Sequence, residues 1–216
     1  MKVIITGATG MVGEGVLLEC LNNKAVQEVL MINRRSSPIK HPRLKELLVP
    51  DFFQLHQFSD AIKGYDACFY CAGISSVGMN ETKYSYITYD TTMAFANALL
   101  EVNKSMTFCF VSGSHTDSSE KGKLMWARVK GKTENALMKL PFSNEYNFRP
   151  GGMLTTPGQR NAKALYTFIV KLIRAISPKR VCTMQEIGLA MIHAVIKGYP
   201  KQVLEIADIK LLAKEE

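Results

Sequence analysis

A chain of 216 residues that is 47% hydrophobic can bury the core of one well-packed domain, and it is too short for two with separate cores. Its 27 Lys and Arg outnumber 19 Asp and Glu, but the basic residues are spread along the chain, as from Arg34 to Lys214, without a block interleaved with aromatics, so a solvated surface is expected and nucleic acid is not an expected partner. The apolar run Val3-Ile4-Ile5 is too short for a leader, and Ala164 to Ile176 is interrupted by Lys171 and Arg174, so a cytoplasmic location with no membrane partner is expected.

In chain order, short β-rich runs alternate with helical patterns, which is the signature of βαβ units around a parallel sheet. Val3-Ile4-Ile5 reads as a first strand, Met11 to Leu21 as a helix and Glu28 to Ile32 as a second strand. Leu47-Leu48-Val49 reads as a short third strand ending at Pro50, and Asp66 to Cys71 as a fourth, buried on both faces. Tyr84 to Val102 has helical spacing, and the sequence is compatible with a monomer or a homodimer. Met106 to Val111 is a fifth strand, Lys123 to Leu140 a helix stopped by Pro141, and Tyr146 to Phe148 a sixth strand. Beyond it Ala162 to Ile176 and Gln185 to Ile196 read as helices and Val203 to Ile206 as a late strand. The expected architecture is a doubly wound parallel α/β sheet of Rossmann type, one domain over 1–216, with about 152–216 forming a small, mainly helical cover on the substrate side.

Five cysteines, an odd number, read as reduced core thiols. Cys68 and Cys71 share a C-x-x-C spacing, but residues three apart on a strand point to opposite faces, so no metal site is expected there.

The chemistry starts where the first strand meets the first helix. Gly7, Gly10 and Gly13 allow a tight turn and a close approach of backbone to a pyrophosphate, and the helix that follows offers free N–H groups and partial positive charge. At the end of the second strand, where an NAD-selective site carries an acidic residue for the ribose 2′-hydroxyl, the chain has Asn33-Arg34-Arg35. Guanidinium groups bind a 2′-phosphate through paired, charge-assisted hydrogen bonds, so NADP(H) is the expected cofactor.

With these residues in place, the chain resembles the short-chain dehydrogenase/reductase superfamily in its extended or atypical branch, and within it the Tat-interactive protein oxidoreductase subgroup. The resemblance runs over Thr6 to Gly13, Asn33 to Arg35, Asp51-Phe52, Cys71-Ala72-Gly73, Val111-Ser112, Val129-Lys130-Gly131 with Glu134, and Phe148-Arg149-Pro150-Gly151. It implies cofactor contacts at Gly7, Thr9, Gly10, Met11, Val12 and Gly13, with Asp51 and Phe52 beside the adenine. It places Cys71, Ala72 and Gly73 under the ribose and phosphates, and Pro150, Gly151 and Met153 near the nicotinamide amide. Lys130 would hydrogen-bond the nicotinamide ribose, and Ser112 or Ser114 would be the catalytic serine.

The departure lies four residues before Lys130, where the family places a proton-transferring tyrosine and this chain has Trp126. Residues i and i+4 share a helix face, so a lysine there lowers a tyrosine's pKa, whereas an indole N–H only donates a hydrogen bond. No Tyr-x-x-x-Lys occurs elsewhere in the chain. The proton would then come from the substrate, from a neighbour such as His115 or Tyr84, or through Lys130 and a water chain. The resemblance thus implies an NADP(H)-dependent oxidoreductase of a small carbonyl or hydroxyl compound. A non-catalytic NADP(H)-binding redox sensor and an epimerase or dehydratase are the alternatives. Met153, Arg160 and Tyr166 point to an apolar or anionic small-molecule substrate.

Overall fold

Strand β1 (Lys2–Thr6) has parallel neighbours on both sides, which is why Val3, Ile4 and Ile5 can all be apolar and wholly buried. The computed structural model describes residues 1–161 and 164–214. After β1 the chain forms α1 (Met11–Asn22), β2 (Glu28–Asn33), β3 (Leu44–Leu48), a 3-10 segment (Phe52–Ile62) and β4 (Ala67–Tyr70). There follow α2 (Glu81–Ser85), a π turn (Tyr86–Asp90), α3 (Thr91–Val102), β5 (Thr107–Val111), α4 (Met125–Leu137) and β6 (Asn144–Phe148). The C-terminal third contains β7 (Gly152–Leu154), α5 (Ala164–Ile176), β8 (Val181–Thr183), α6 (Met184–Lys197), β9 (Val203–Leu204) and α7 (Ile206–Ala213).

The main sheet is parallel with strand order β3-β2-β1-β4-β5-β6-β9. Strand order reverses between β1 and β4, and in open α/β sheets ligands bind outside the carboxyl ends of the strands at such a reversal. Two cores cover the faces. One joins α1, α6 and α7 to Val3, Ile5, Ala67 and Phe69, and the other joins the 3-10 segment, α3 and Leu137 of α4 to Ile4, Cys68 and Tyr70. The alternation along β4 sends Cys68 into one core and Cys71 to the other, as strand geometry requires.

Several boundaries differ from the sequence reading. The third strand begins at Leu44, because β3 is an edge strand whose Lys45 and Glu46 belong to the pairing with β2. The helix over Lys123–Leu140 is shorter, Met125–Leu137, with Leu124 as an extended N-cap. The expected helix from Tyr84 is a longer rod from Glu81, interrupted by the π turn. Helix α5 is described from Ala164, and Ala162 lies outside the described residues. The late strand stops at Leu204 because Glu205 and Asp208 form a capping box that starts α7. The part standing apart from the main sheet is also shorter than 152–216. β7, α5 and β8 make a separate two-stranded unit, whereas α6 packs on α1 and β9 returns as the seventh strand.

Close packing of α1 on α6 depends on small residues: a Cβ at Gly15 would lie 2.7 Å from Met184 Cγ. The C-terminal end of α1 is closed by Arg43, whose guanidinium donates to the carbonyls of Leu21, Asn23 and Val26. All five cysteines are free, and among the described residues no group of three or more His, Cys, Asp or Glu could hold a metal.

Beneath α4 lies a buried polar layer. Asn147 Nδ2 donates to Glu145 Oε2 at 3.1 Å, while Glu145 Oε1 and Asn147 Oδ1 have no partner among the described residues. Burial, reinforced by Glu134, pushes the Glu145 carboxyl up to about 9. Between the ordinary carboxylate range and about 9 the folded chain therefore holds a proton that the unfolded chain releases, so this group makes stability fall as pH rises through that window. Glu145→Gln is expected to flatten the decline in melting temperature between pH values near 5 and near 9, measured by thermal unfolding against the wild type. An unchanged slope would mean that Glu145 is ionised in the fold.

Candidate functional site

The turn between β1 and α1 is shaped by glycines that no other residue could replace. Gly7 has φ +70°, and a Cβ on it would lie 2.6 Å from Ala72 N and from the Cys71 carbonyl. A Cβ on Gly13 would lie 2.2 Å from Gly7 O. Gly10 donates to Gly7 O at 2.9 Å and is the N-cap of α1, which no side chain caps. Thr9 and Gly10 are exposed, and Met11 and Val12 half-buried, so the first turn of the helix opens outward. Gly7, Thr9, Gly10, Met11, Val12 and Gly13 thus form one cradle with N–H groups available to an anion.

The neighbouring strand ends converge on it. Ala72 N donates to Thr6 Oγ1 at 3.2 Å, which brings Cys71-Ala72-Gly73 alongside Gly7. Asn33, at the end of β2, is 3% exposed and its Nδ2 has no partner among the described residues, while Arg34 and Arg35 are exposed just beyond. A cradle that a Cβ would fill and an orphaned buried amide beside two exposed guanidinium groups fit a dinucleotide. Glu46 of β3 accepts from Ser36 Oγ at 2.7 Å and Ser37 N at 2.8 Å and so fixes the loop that follows the arginines.

Asp51 caps the 3-10 segment by accepting from Phe53 N at 3.0 Å. Phe52, however, is 6% exposed and packs on Phe95 at 5.0 Å, so its ring is a core element. The neighbouring ring, Phe53, stacks on the exposed Tyr86 at 5.3 Å. The sequence offered no means of telling which of the two adjacent phenylalanines turns inward.

The second half of the site is built at the ends of β5 and β6. Ser112 N donates to Phe148 O at 2.8 Å and Ser114 N to Pro150 O at 3.0 Å, which sets the serine turn beside Pro150-Gly151 and, through β7, Met153. The two serines have different surroundings. Ser112 is 6% exposed and its Oγ lies 2.9 Å from Thr116 Oγ1, whereas Ser114 is half-buried with its Oγ 3.3 Å from His115 Nδ1. His115 is exposed and sits in the left-handed region at φ +68°.

Lys130 projects from α4 and donates through Nζ to Ser112 O at 2.9 Å. Burial pushes its amine down to about 8, against the opposing pull of Glu134. Gly131 lets α4 press on the serine loop, since a Cβ there would lie 1.8 Å from Asp117 O. Trp126 is half-buried one turn earlier on the same helix. Tyr84 is 2% exposed and packs within the fold at α2, where burial raises the pKa of its hydroxyl.

The motif at Glu134 and the motif at Arg149 are joined by a buried ion pair. Arg149 Nε donates to both Glu134 oxygens at 3.0 and 3.2 Å and Nη2 also donates to Glu134, while Ser118 Oγ at 2.6 Å and Glu205 Oε1 at 3.1 Å take its remaining donors. The pair ties the helix carrying Lys130 to the corner carrying Pro150.

One set of residues escaped the sequence reading. Glu14, 1% exposed in the first turns of α1, accepts from Arg160 N at 2.9 Å and Asn161 N at 2.7 Å; Gln159 Nε2 donates to Met11 O at 2.7 Å, and Thr156 Oγ1 to Glu19 at 3.1 Å. The segment Thr156–Asn161 is thereby strapped along α1 beside the cradle. The only sign in the sequence is a pair of carboxylates, Glu14 and Glu19, within an otherwise apolar helix. Tyr166, expected to line a substrate pocket, instead accepts from Met153 N at 3.1 Å and packs on Leu154, Val170 and Val181.

Residues 3–122 match the profile of the NAD dependent epimerase/dehydratase family. Protein HTATIP2 of Rattus norvegicus is 26% identical over 172 residues, covering 76% of this chain and 70% of that protein. Among solved structures, a short chain dehydrogenases/reductase from Saccharomyces cerevisiae superposes with a TM-score of 0.70 at 16% identity, covering 98% of both chains. The Bordetella bronchiseptica enzyme WbmF, in complex with NAD+, superposes with a TM-score of 0.68 at 12% identity, covering 98% of this chain and 76% of its own. At these identities the solved structures share the Rossmann-type fold with this chain.

Proposed function

The chain belongs to the NAD dependent epimerase/dehydratase family, and from that premise we propose that it is an NADP(H)-dependent oxidoreductase of a small carbonyl or hydroxyl compound in which Lys130 moves the proton. The observation that carries the reading is Lys130 itself, a lysine anchored on Ser112 O at the serine turn with its amine brought near neutrality by burial. Such a group exchanges protons near neutral pH, which the indole of Trp126 cannot do. When bound, the reduced nicotinamide supplies a hydride to the carbonyl carbon. The chain's own residues do the rest. Ser114 donates a hydrogen bond to the carbonyl oxygen and orients it, Lys130 delivers the proton, and Trp126 shields the lysine from bulk water. Arg34 and Arg35 take the 2′-phosphate, with Asn33 Nδ2 as a further donor at the same edge.

The alternative of a non-catalytic NADP(H)-binding redox sensor draws on Trp126, which stands where the family places its proton-transferring tyrosine, and on the burial of Tyr84. An epimerase or dehydratase would need the same acid–base group and rests on the same lysine. One experiment separates the oxidoreductase from the two alternatives. Calorimetric titration of NADPH and NADH is run beside cofactor oxidation against a panel of aldehydes and ketones. NADPH binding with turnover supports the oxidoreductase, and binding without net cofactor oxidation supports the sensor or an epimerase, which returns its hydride. The double variant Arg34→Ala/Arg35→Ala is expected to weaken NADPH by about 10- to 100-fold, the worth of a charge-assisted bidentate contact, with little change for NADH. Equal losses for both would refute the 2′-phosphate role.

A further inference from the structure

Helix α5 turns most of its apolar side chains outward. Phe168, Ile169, Leu172, Ile173 and Ile176 recur at i, i+1, i+4, i+5 and i+8, which places them in one stripe, and they are between 39% and 86% exposed. The helix is held from the other side, where Val170, 2% exposed, packs with Tyr166 on Leu154 and Val181. A helix of a water-soluble fold ordinarily buries such a stripe. Exposed Lys171, Arg174, Lys179 and Arg180 lie within and just beyond the helix, and residues 146–185 contain no Asp or Glu.

We propose that this face of α5 is a docking surface for a membrane containing anionic phospholipid. An apolar stripe accompanied by cations is the pattern of a helix lying in the plane of a bilayer interface, with its apolar side chains at the acyl boundary and its lysines and arginines at the phosphates. Charge decides between occupants. A second copy of the chain seated on the stripe would oppose the same cations with no carboxylate from the segment to offset them, whereas phosphate headgroups complement them. The expectation of no membrane partner tests only for a spanning segment, which Lys171 and Arg174 interrupt; in a helix lying at the interface the same two cations face the phosphates. The Met153–Tyr166 hydrogen bond ties α5 to β7, which leaves directly from Gly151, so docking would bring the Arg149–Gly151 corner close to the lipid. The surface is independent of the cofactor reading and stands if that reading fails.

The test is co-sedimentation of the full chain with vesicles of phosphatidylcholine alone and of phosphatidylcholine mixed with phosphatidylserine, with analytical ultracentrifugation of the free protein alongside. Binding to the mixed vesicles only is expected, weakening as salt rises. Leu172→Gln/Ile176→Gln and Lys171→Gln/Arg174→Gln are each expected to reduce it by about tenfold or more. These residues are exposed, so unchanged thermal unfolding shows that the variants fold. Equal binding to neutral vesicles, or full binding by either variant, would overturn the proposal. So would the absence of vesicle binding, whether the chain sediments as a monomer or as a dimer that Leu172→Gln/Ile176→Gln dissociates; the latter result would assign the stripe to a second copy.

Discussion

Glu134→Leu is expected to destabilise the fold by about 3–5 kcal/mol, the usual consequence of removing one partner of a buried ion pair. Glu134 is wholly buried and holds Arg149 through both carboxylate oxygens, so its loss strands a guanidinium that is itself 8% exposed. The remaining acidic partner, Glu205, is half exposed and accepts from a single nitrogen, so water already screens much of that contact. For a chain of this size the loss corresponds to a fall in melting temperature of about 6–20 °C. Glu205→Ala, by contrast, should cost only about 1–2 kcal/mol, because it removes an exposed pair and the N-cap of α7 but strands no buried charge. Chemical denaturation of the two variants checks the contrast, and similar losses in both would mean that the network is no stronger inside than at its rim. Cofactor affinity should fall with Glu134→Leu as well, because the pair joins α4, which carries Lys130, to the corner that carries Pro150.

That coupling was half legible in the sequence. Both motifs could be singled out, yet nothing in a one-dimensional pattern pairs residues 134 and 149. The same limit applies to Glu14, whose partners Arg160 and Asn161 lie far along the chain. The βαβ units were readable because central parallel strands carry unbroken apolar runs followed by glycine turns, as in Val3, Ile4 and Ile5 of β1 and Ala67–Tyr70 of β4. Edge and peripheral elements were harder. β3 has charged residues at consecutive positions, β7 and β8 are only three residues long, and the 3-10 segment after Asp51 lacks the helical period of an α-helix. The membrane question shows the same effect from another side. The outward orientation of the α5 stripe is a tertiary fact, since the periodicity alone reads equally as a helix that buries it.

At the centre of the site, Lys130→Met is expected to lower NADPH-dependent carbonyl reduction by about 10²- to 10⁴-fold, the range of a positioned general acid. The pH profile carries the sign. Reduction requires the protonated amine, and the amine loses its proton near 8, so the wild-type rate should fall as pH rises through that value. His115→Asn tests the competing source, because His115 Nδ1 lies 3.3 Å from Ser114 Oγ and could feed a proton through that hydroxyl. If Lys130 is the acid, His115→Asn leaves the alkaline fall in place; a vanished or displaced limb would transfer the role to the histidine. Trp126→Tyr adds the missing phenol one helical turn before the lysine, where the ammonium lowers its pKa and gives it a proton-transfer equilibrium. Activity on simple aldehydes should then rise, and dependence on Lys130 should change from delivering the proton to tuning the tyrosine. A variant no faster than the wild type would mean that the hydroxyl is not what limits turnover. Lys130→Met with undiminished activity would remove the lysine from the chemistry, leaving it only as the link between α4 and the Ser112 carbonyl.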